Sequence, residues 1–388
     1  MRVLHVTPYF APAFRYGGPP RSILGLCHAL VGAGVDVEVF TTTANGAEEL
    51  PAVPDGTEYE GIRVRYFPLA WPKRYWRVRG LAAALDRALP EADLVHVHGL
   101  WNLTGSTAIA RARTARLPYV ISPRGMLQPA AMRRHHALKT AAYWAVERAN
   151  IRGAACLHAT SPFEQQQIAM CGPPVVTIAN GVTPVVFSAG ALDRLRQRAG
   201  ITADDEVVMC LGRLHPIKRL DLLAAAFAIV CRDRPRARLV IAGPDEGGYR
   251  QRVEPLFAPV ADATRWLGAV DAETAGALFA ASRMLVQCSD SESFGMSVAE
   301  ALAAGLPVVV TDGTPWSHVA ALGIGCSVAQ EPAAMARAIR QIHEHPADGC
   351  AMGARAKAWA GDALGWDAIG RSMRDAYQRV LDGRQRSA

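Results

Sequence analysis

The chain has 388 residues, of which half are apolar and a fifth are charged, and its formal net charge is +7. This composition is typical of a globular protein and excludes a disordered or a collagen-like chain. No apolar run reaches the roughly 18 residues that a membrane-spanning helix needs. The length favours two or three domains.

Short apolar runs bounded by glycine, proline or aspartate alternate with helical patterns along the chain. The first eight residues predict a strand and not a signal peptide, because no apolar h-region follows them. The predicted strands are Val3–Thr7, Val35–Thr41, Ile62–Tyr66, Leu94–Val97, Tyr119–Ser122, Cys156–Thr160, Val175–Ala179, Val207–Leu211, Leu239–Ala242, Arg265–Leu267, Met284–Cys288 and Pro307–Val310. Helices are predicted between most of them, among others at Ser22–Val31, Ala137–Ile151, Leu220–Cys231 and Ser297–Ala304.

Nearly continuous apolar strands that alternate with helices indicate parallel sheets covered on both faces. The pattern restarts after the turn-rich stretch Asn180–Pro184, which we interpret as an interdomain linker. The sequence therefore predicts an α/β chain of two doubly wound domains that face each other. Ligands of such sheets bind beyond the carboxyl ends of the strands, so we expect the chemistry in an interdomain cleft. No G-x-G-x-x-G follows either domain's first strand, which disfavours a nicotinamide enzyme.

The positive charge is concentrated in the first half of the chain. Residues 1–185 hold 19 Lys and Arg against 12 Asp and Glu, whereas the remainder holds 23 of each. This asymmetry suits an anionic partner such as a phosphate or an anionic membrane surface, and no nucleic-acid-binding motif accompanies it. The eight cysteines form no C-x-x-C pair, which predicts buried free thiols in a reducing compartment and no zinc site.

The most informative stretch is Ser289–Val310, which follows a predicted strand. We expect Ser297 to be the N-cap of a helix, so that the amides of residues 295–298 can bind phosphate. Glu292 and Glu300 are then placed to accept hydrogen bonds from sugar hydroxyls on either side of that phosphate. The alternative is that Glu292 is solvated and Glu300 interacts with the helix dipole.

Two further loops offer groups for binding an anion. Arg213 and Lys218 follow the first strand of the second domain, where a bidentate guanidinium and a point charge can hold phosphate oxygens. Gly17 and Gly18 precede a helix and would let a backbone amide reach a diphosphate. A solvated cation pair and an ordinary Gly-Gly turn are the alternatives.

Two histidines lie at the end of one predicted strand. We expect His96 and His98 to point to opposite faces, with His96 packed in the core and His98, next to Gly99, facing the cleft. No third ligand is near them in the sequence, so we predict no metal site.

Together these motifs resemble the family-4 (group 1) retaining glycosyltransferases of the GT-B fold. The set comprises the glycine loop, His-x-His-Gly, Asn180-Gly-Val, Gly-Arg-Leu-x-x-x-Lys and Glu-x-Phe-Gly-x-x-x-x-Glu, in that order from residue 1 to about 382. Ile121-Ser-Pro-Arg-Gly-Met-Leu is similar to a subgroup that acts in bacterial exopolysaccharide or O-antigen assembly. Pro19-Pro20 departs from the polar or acidic residue that the family usually has there.

The resemblance implies two Rossmann-like domains with distinct roles. Residues 1–183 would form the acceptor domain, joined by a C-terminal helix at about 366–388 that crosses back to it. Residues 184–365 would form the sugar-nucleotide donor domain.

The resemblance also implies roles for individual residues. The implied catalytic residues are His98, Glu292, Arg213 and Lys218. The implied donor-binding residues are Gly17, Gly18, Arg213, Lys218, Asp245, Trp266, Leu267, Glu292, Phe294, Gly295, Met296, Ser297 and Glu300. Arg213 and Lys218 would neutralise the diphosphate, Glu300 would hold the ribose, and Glu292 and His98 would contact the transferred sugar.

The implied reaction is transfer of a hexose, with retention, from a nucleoside-diphosphate sugar to a glycan or a polyprenyl-pyrophosphate-linked saccharide. No Asp-x-Asp motif occurs, so we expect no metal and no resident cofactor. We expect a cytoplasmic location, with contact to an anionic membrane through Trp71–Arg79, which holds four cations and three aromatic residues. A solvated loop is the alternative for that segment. A nucleotide-sugar epimerase of the same fold and a non-catalytic sugar-nucleotide-binding subunit remain alternative functions.

Overall fold

The computed structural model describes residues 1–51, 56–133, 136–183 and 186–385. The predicted boundary residue 184 and residues 386–388 of the predicted last helix lie outside these ranges. The chain divides into two compact units: the first comprises residues 1–181 and 366–388, and the second comprises residues 182–365.

The elements alternate as the sequence predicts. The strands are β1 Arg2–Val6, β2 Asp36–Thr42, β3 Ala44–Asn45, β4 Glu48–Glu49, β5 Thr57–Tyr59, β6 Ile62–Phe67, β7 Leu94–His98, β8 Tyr119–Ser122, β9 Cys156–Ala159, β10 Val175–Thr177, β11 Glu206–Leu211, β12 Ala237–Ala242, β13 Thr264–Gly268, β14 Met284–Gln287, β15 Val308–Thr311 and β16 Gly325–Val328. The helices are α1 Gly18–Gly32, α2 Leu81–Ala88, α3 Leu103–Thr114, α4 Pro129–Arg133, α5 His136–Ala142, α6 Arg148–Arg152, α7 Pro162–Ile168, α8 Ala189–Ala199, α9 Leu220–Val230, α10 Tyr249–Val253, α11 Ala272–Ala281, α12 Met296–Ala303, α13 Pro332–Glu344, α14 Pro346–Ala363 and α15 Trp366–Gln385.

Every predicted strand is present with its ends within two residues of the prediction. The short antiparallel strands β3, β4 and β5 and the edge strand β16 were not predicted. The predicted helix Ala137–Ile151 is two α-helices joined by a π-helical turn, Tyr143–Glu147.

Among the described residues, the first unit contains an eight-stranded sheet in the order β10-β9-β8-β7-β1-β2-β6-β5, in which only β5 is antiparallel to its neighbour, and a separate β3-β4 pair. The chain order reverses between β1 and β7, so the carboxyl ends of these strands form the switch point at which such sheets bind ligands. Apolar side chains cover both faces in two separate clusters. The second unit is a six-stranded parallel sheet in the order β13-β12-β11-β14-β15-β16.

The last helix, α15, packs on α1 within the first unit. A Cβ atom on Gly370 would lie 2.3 Å from the carbonyl oxygen of Ala29, so the two helices approach at a position where only glycine fits. At the start of α15, Trp366 fills the space above Gly181 and Gly25, where added Cβ atoms would lie 2.4 and 2.2 Å from its ring. Close packing against Trp366 therefore explains the glycine of the Asn180-Gly-Val motif.

None of the described helices is both long enough and apolar enough to cross a membrane. All eight cysteines are free: Cys27, Cys156 and Cys288 are buried, and Cys350 is exposed.

Candidate functional site

In the second unit, Arg213, Lys218, Asp245 and Glu292 lie on segments that follow strands, whereas Trp266 and Leu267 lie in β13 and Met296, Ser297 and Glu300 lie in α12. Gly212 follows β11 and Gly243 follows β12, and a Cβ atom on Gly243 would lie 1.9 Å from the Gly212 carbonyl oxygen. The two loops therefore touch, with a hydrogen bond from the Leu214 amide to the Pro244 carbonyl. This contact brings Arg213 beside Glu246, with which it forms an ion pair.

Lys218 and Glu292 form a direct ion pair, although 74 residues separate them in the chain. Both side chains are mostly buried, with 18% and 12% of their surfaces exposed. Gln287 Nε2 and Ser289 Oγ donate to the same Glu292 oxygen, at 2.6 and 2.7 Å. Three donors thus hold one carboxylate oxygen in place, and two of them, Gln287 and Ser289, were not predicted as site residues.

Arg213 and Lys218 line one small cavity together with Gly212, Gln287 and Cys288. The Arg213–Glu246 pair is much more exposed than the Lys218–Glu292 pair, at 44% and 40%. Exposed ion pairs contribute little to stability, so Arg213 can exchange Glu246 for another anion at low cost.

The helix that contains Glu300 begins one residue earlier than predicted, and Ser297 is not its N-cap. Gly295 occupies the N-cap with a φ of 85°, and no side chain there accepts a hydrogen bond from a helix amide. The Ser297 hydroxyl instead donates to Gln287 Oε1 at 3.0 Å. A Cβ atom on Gly295 would lie 2.9 Å from Trp316 Nε1, which explains glycine there. The amides of Met296 and Ser297 still lie at the positive end of the α12 dipole.

The remaining residues predicted to bind the donor differ in their exposure. Phe294 is buried, and its ring packs edge-to-face on Trp316 with centroids 5.2 Å apart. Leu267 is also buried. Trp266 is half-buried and packs on Phe257. Asp245 Oδ1 accepts a hydrogen bond from the Arg250 amide at 3.1 Å.

In the first unit, Gly17 is the N-cap of α1 with a φ of 82°, and Gly18 is the first helical residue. Pro19 and Pro20 fit directly after them because the first turn of a helix has amides without intrahelical partners. The Ser22 hydroxyl closes this turn by donating to the Pro19 carbonyl at 3.1 Å.

The expectation that His96 and His98 point to opposite faces was wrong. Residues two apart on a strand share a face, and their ring centroids are 4.1 Å apart. A third imidazole that is distant in the sequence joins them in space, because His5 on β1 pairs with His96 in register and contacts His98. All three are buried.

Ligand atoms of His5, His96 and His98 lie within 4.8 Å of one another, so we tested the cluster as a metal site. Both nitrogens of His96 and both of His98 already have hydrogen-bond partners. The guanidinium of Arg124 lies against His98. A dication would have to displace these bonds and face that positive charge, so the donor set does not suit one.

Burial keeps the first unit's clustered histidines neutral. It lowers the pKa of His5 to about 3 and that of His158 to about 4, and it holds the pKa values of His96 and His98 well below the usual value. A neutral imidazole has one donor nitrogen and one acceptor nitrogen, so the hydrogen-bond partners fix each tautomer.

One hydrogen-bonded chain runs from α15 to the loop after β10. His158 Nε2 donates to the Ile178 carbonyl, so its Nδ1 accepts from the Ser122 hydroxyl at 2.7 Å. Ser122 then accepts from His96 Nε2, and His96 Nδ1 accepts from the Tyr377 hydroxyl, both at 2.6 Å.

A second chain begins at Arg124, which can only donate. Its Nε and Nη2 atoms lie 3.2 Å from His98 Nδ1, so His98 Nε2 carries the proton and donates to His5 Nδ1 at 2.9 Å. His98, the predicted sugar contact, therefore has both nitrogens engaged. His5 Nε2 is left as a buried N–H without an acceptor among the described residues. Neither Arg124, which lies in the Ile121-Ser-Pro-Arg-Gly-Met-Leu motif, nor His5 is among the predicted site residues.

Comparison with known proteins gives a consistent result over the whole chain. The family model described as "Glycosyl transferases group 1" matches residues 191–359, and the one described as "Glycosyl transferase 4-like domain" matches residues 17–181. The chain is 30% identical to a D-inositol 3-phosphate glycosyltransferase from Kineococcus radiotolerans, covering 98% of this chain and 95% of the relative. It is 28% identical to the protein of the same name from Streptomyces avermitilis, covering 100% of this chain and 88% of the relative.

Solved structures share the fold at lower identity. Sucrose-phosphate synthase from Thermosynechococcus elongatus superposes with a TM-score of 0.77 at 20% identity, covering 99% of this chain and 100% of that chain. Anabaena HepE in complex with UDP and glucose gives a TM-score of 0.74 at 20% identity, covering 98% of this chain and 100% of that one. WaaG, a glycosyltransferase involved in lipopolysaccharide biosynthesis, gives 0.70 at 16% identity, covering 98% of this chain and 99% of that one.

The neutral histidines make the first unit sensitive to acid. In the unfolded chain these histidines bind protons below about pH 6.5, whereas in the folded protein His5 and His158 bind them only below about pH 3 to 4. The free energy of unfolding therefore falls as the pH decreases through this window. Each such histidine contributes a slope of up to about 1.4 kcal/mol per pH unit. We expect His158→Gln to reduce the pH slope of the unfolding free energy by up to this amount in urea titrations between pH 7 and 5. The exposed His136→Gln is the matched control, and equal slopes in the two variants would contradict the assignment.

Proposed function

Because the chain belongs to the group 1 glycosyltransferases, we propose that it transfers a sugar, with retention, from a nucleoside-diphosphate sugar to a saccharide acceptor in the assembly of a cell-surface polysaccharide. One observation carries the proposal. One cavity on the loops of the second unit is lined by both Arg213 and Lys218, and Lys218 is paired with Glu292. The same unit also contains the N-terminus of α12.

These groups suit a diphosphate leaving group. Breaking the anomeric C–O bond leaves positive charge on the sugar and negative charge on the diphosphate. Arg213, Lys218 and the α12 amides would stabilise that negative charge without a metal ion. HepE, which shares the fold, has been solved with UDP and glucose and also with UDP-glucose, and these complexes support a sugar nucleotide as the class of donor.

For retention we propose front-side attack. The acceptor oxygen bonds to the anomeric carbon on the face from which the diphosphate departs, and the hydroxyl proton passes to a diphosphate oxygen. Glu292 would orient a hydroxyl of the transferred sugar, because Lys218, Gln287 and Ser289 fix its Oε1 atom.

Donor binding is the first test. We expect one nucleoside diphosphate in a panel of UDP, GDP, ADP and CMP to raise the melting temperature, and the shift to disappear in Arg213→Ala/Lys218→Ala. A ligand at a hundred times its Kd stabilises a protein by roughly 2.7 kcal/mol, enough for a clear shift. The exposed pair Arg232→Ala/Arg236→Ala is the control. No shift with any nucleotide, or an equal shift in the site variant, would count against the donor site. With the matching sugar nucleotide, an epimerised product would indicate an epimerase, and no turnover would indicate a non-catalytic subunit.

The role of Glu292 is tested separately. We expect Glu292→Gln to keep nucleotide binding but lower kcat by about 10²-fold or more, because it removes a charged acceptor that acts on the sugar in the transition state. Steady-state kinetics would be combined with NMR assignment of the product anomer. Full activity in this variant would refute the assigned role, and an inverted product would refute retention.

We also propose a cytoplasmic enzyme that contacts the inner face of an anionic membrane through Trp71–Arg79. Trp71 and Tyr75 expose 83% and 47% of their surfaces, and Lys73, Arg77 and Arg79 are exposed beside them. Exposed aromatic rings interleaved with cations suit the headgroup region of a bilayer.

Vesicle binding tests this surface. We expect the protein to sediment with vesicles that contain anionic phospholipid, and charge reversal at Lys73, Arg74, Arg77 and Arg79 to abolish sedimentation. Reversal of four exposed arginines elsewhere, Arg87, Arg232, Arg236 and Arg337, changes the net charge equally and should leave most binding intact. Equal losses in both variants would indicate net charge alone, and unchanged binding would refute the surface.

A further inference from the structure

We propose that Arg124 binds an anionic group of the acceptor, a carboxylate or a phosphate, and so selects an acidic acceptor. That the anion belongs to an acceptor rests on the proposed transferase function, whereas the anion site itself depends on the first unit alone.

Within the described part of the chain, all hydrogen-bond partners of Arg124 are neutral. Its Nε and Nη2 atoms donate to His98, and its Nη1 atom donates to Ser22 Oγ at 3.1 Å and to Asn180 Oδ1 at 3.4 Å. Burial is the largest influence on this guanidinium, and it lowers the pKa. The residue is nevertheless partly accessible to solvent, so a ligand can approach it.

A counter-ion is missing among the residues that the structure describes. Glu164 is the carboxylate with the strongest influence on Arg124, and it forms no ion pair with it. Its two oxygens accept instead from the Gly125 amide at 2.6 Å and from the Thr160 amide and hydroxyl, each at 2.8 Å. The cation is therefore withdrawn from water without compensation by an opposite charge, which is costly.

An arginine on β1 of the same unit shows the contrast. Arg2, also mostly buried, forms ion pairs with three carboxylates, Asp36, Glu38 and Glu91. The unit thus neutralises a buried guanidinium at the amino end of β1 and leaves Arg124 unneutralised beyond the carboxyl end of β8.

The position of Arg124 favours ligand binding over a purely structural role. Its partners Ser22, His98 and Asn180 come from α1, from the end of β7 and from the loop after β10, so they converge at the switch point between β1 and β7. Arg124 itself has a φ of 52°, a strained conformation for a residue with a side chain, and such strain concentrates at functional sites.

The chemistry points to an oxyanion. A guanidinium presents five N–H donors in a planar fork, and the paired oxygens of a carboxylate or a phosphate can replace its neutral acceptors Ser22 and Asn180. His5 Nε2, at the end of the Arg124–His98–His5 chain, is a further donor without a described acceptor. A uronic acid residue and a phosphorylated saccharide or lipid-linked phosphate would each supply the anion.

The test uses an internal counter-ion. Asn180→Asp places a carboxylate where Oδ1 now lies 3.4 Å from Arg124 Nη1. If the site lacks an anion, this nearly isosteric change raises the melting temperature by several degrees and weakens ligand binding at least tenfold. A lower melting temperature, or unchanged ligand binding, would overturn the proposal.

Calorimetry at constant ionic strength with glucuronate, glucose and inorganic phosphate measures the ligand class. We expect glucuronate or phosphate, but not glucose, to bind the wild type when its donor site is filled with nucleoside diphosphate, and to lose at least tenfold in affinity in Arg124→Gln and Asn180→Asp. Glucuronate alone would indicate an acidic sugar, and phosphate alone a phosphorylated acceptor. The exposed Arg87→Gln is the control for charge.

Failure of this proposal is distinguishable from failure of the transferase proposal. Nucleotide-induced stabilisation of Arg124→Gln reports that the variant is folded and that the donor site is intact. Anion binding lost when the donor site is filled but kept in Arg124→Gln would assign the anion to the donor site and refute the inference. Absence of binding by both anions to the wild type would refute it as well.

Discussion

The first unit depends on one constraint: the buried imidazoles of His5, His96, His98 and His158 must stay neutral. A neutral imidazole cannot donate from both nitrogens, so a single fixed acceptor sets the protons of a whole chain. The Ile178 carbonyl is that acceptor, and it fixes the proton positions on His158, Ser122 and His96 in turn. The last of these leaves His96 Nδ1 as an acceptor, which requires the Tyr377 hydroxyl to donate. The last helix of the protein thereby becomes a hydrogen-bonding part of a unit whose strands end some two hundred residues earlier.

The second chain begins on a cation instead of a carbonyl, and its protons consequently point away from Arg124. It ends on the buried N–H of His5 and carries a charge that no described carboxylate pairs with. The second unit handles its cations differently, because Glu246 and Glu292 hold Arg213 and Lys218 directly. A ligand in the second unit must exchange with a carboxylate, whereas a ligand at Arg124 adds a charge that is missing.

The sequence predicted the strands well because β-strands buried on both faces are continuous apolar runs, which Val207–Leu211 and Met284–Cys288 display without ambiguity. It missed β3, β4 and β5 because two or three residues are too few to establish a period. The helix start at Met296 was misplaced because the N-cap residue is Gly295, which has a positive φ and no side chain to bond an amide. Its lack of a side chain also leaves room for Trp316.

The site was predicted in its residue types but not in its contacts. Lys218 and Glu292 were assigned to neighbouring groups of one donor, yet only the structure shows that they pair with each other and recruit Gln287 and Ser289. His5 and Arg124 were missed for a related reason: an isolated histidine in a strand carries no local signal, and the motif that contains Arg124 indicates a subgroup and not a contact. Their significance arises from partners 93 and 26 residues away.

The two ion pairs of the second unit also differ in how readily an incoming diphosphate can replace the carboxylate of the pair. The Arg213–Glu246 pair is exposed and screened, so a phosphate that replaces Glu246 gives up little. Lys218 is held with Glu292 in a mostly buried cluster, where removing one partner leaves an uncompensated charge. We therefore expect Arg213 to be the cation that moves to the phosphate. Lys218 would keep Glu292 oriented and contribute its charge from a fixed position, which suits a carboxylate whose task is to hold a sugar hydroxyl.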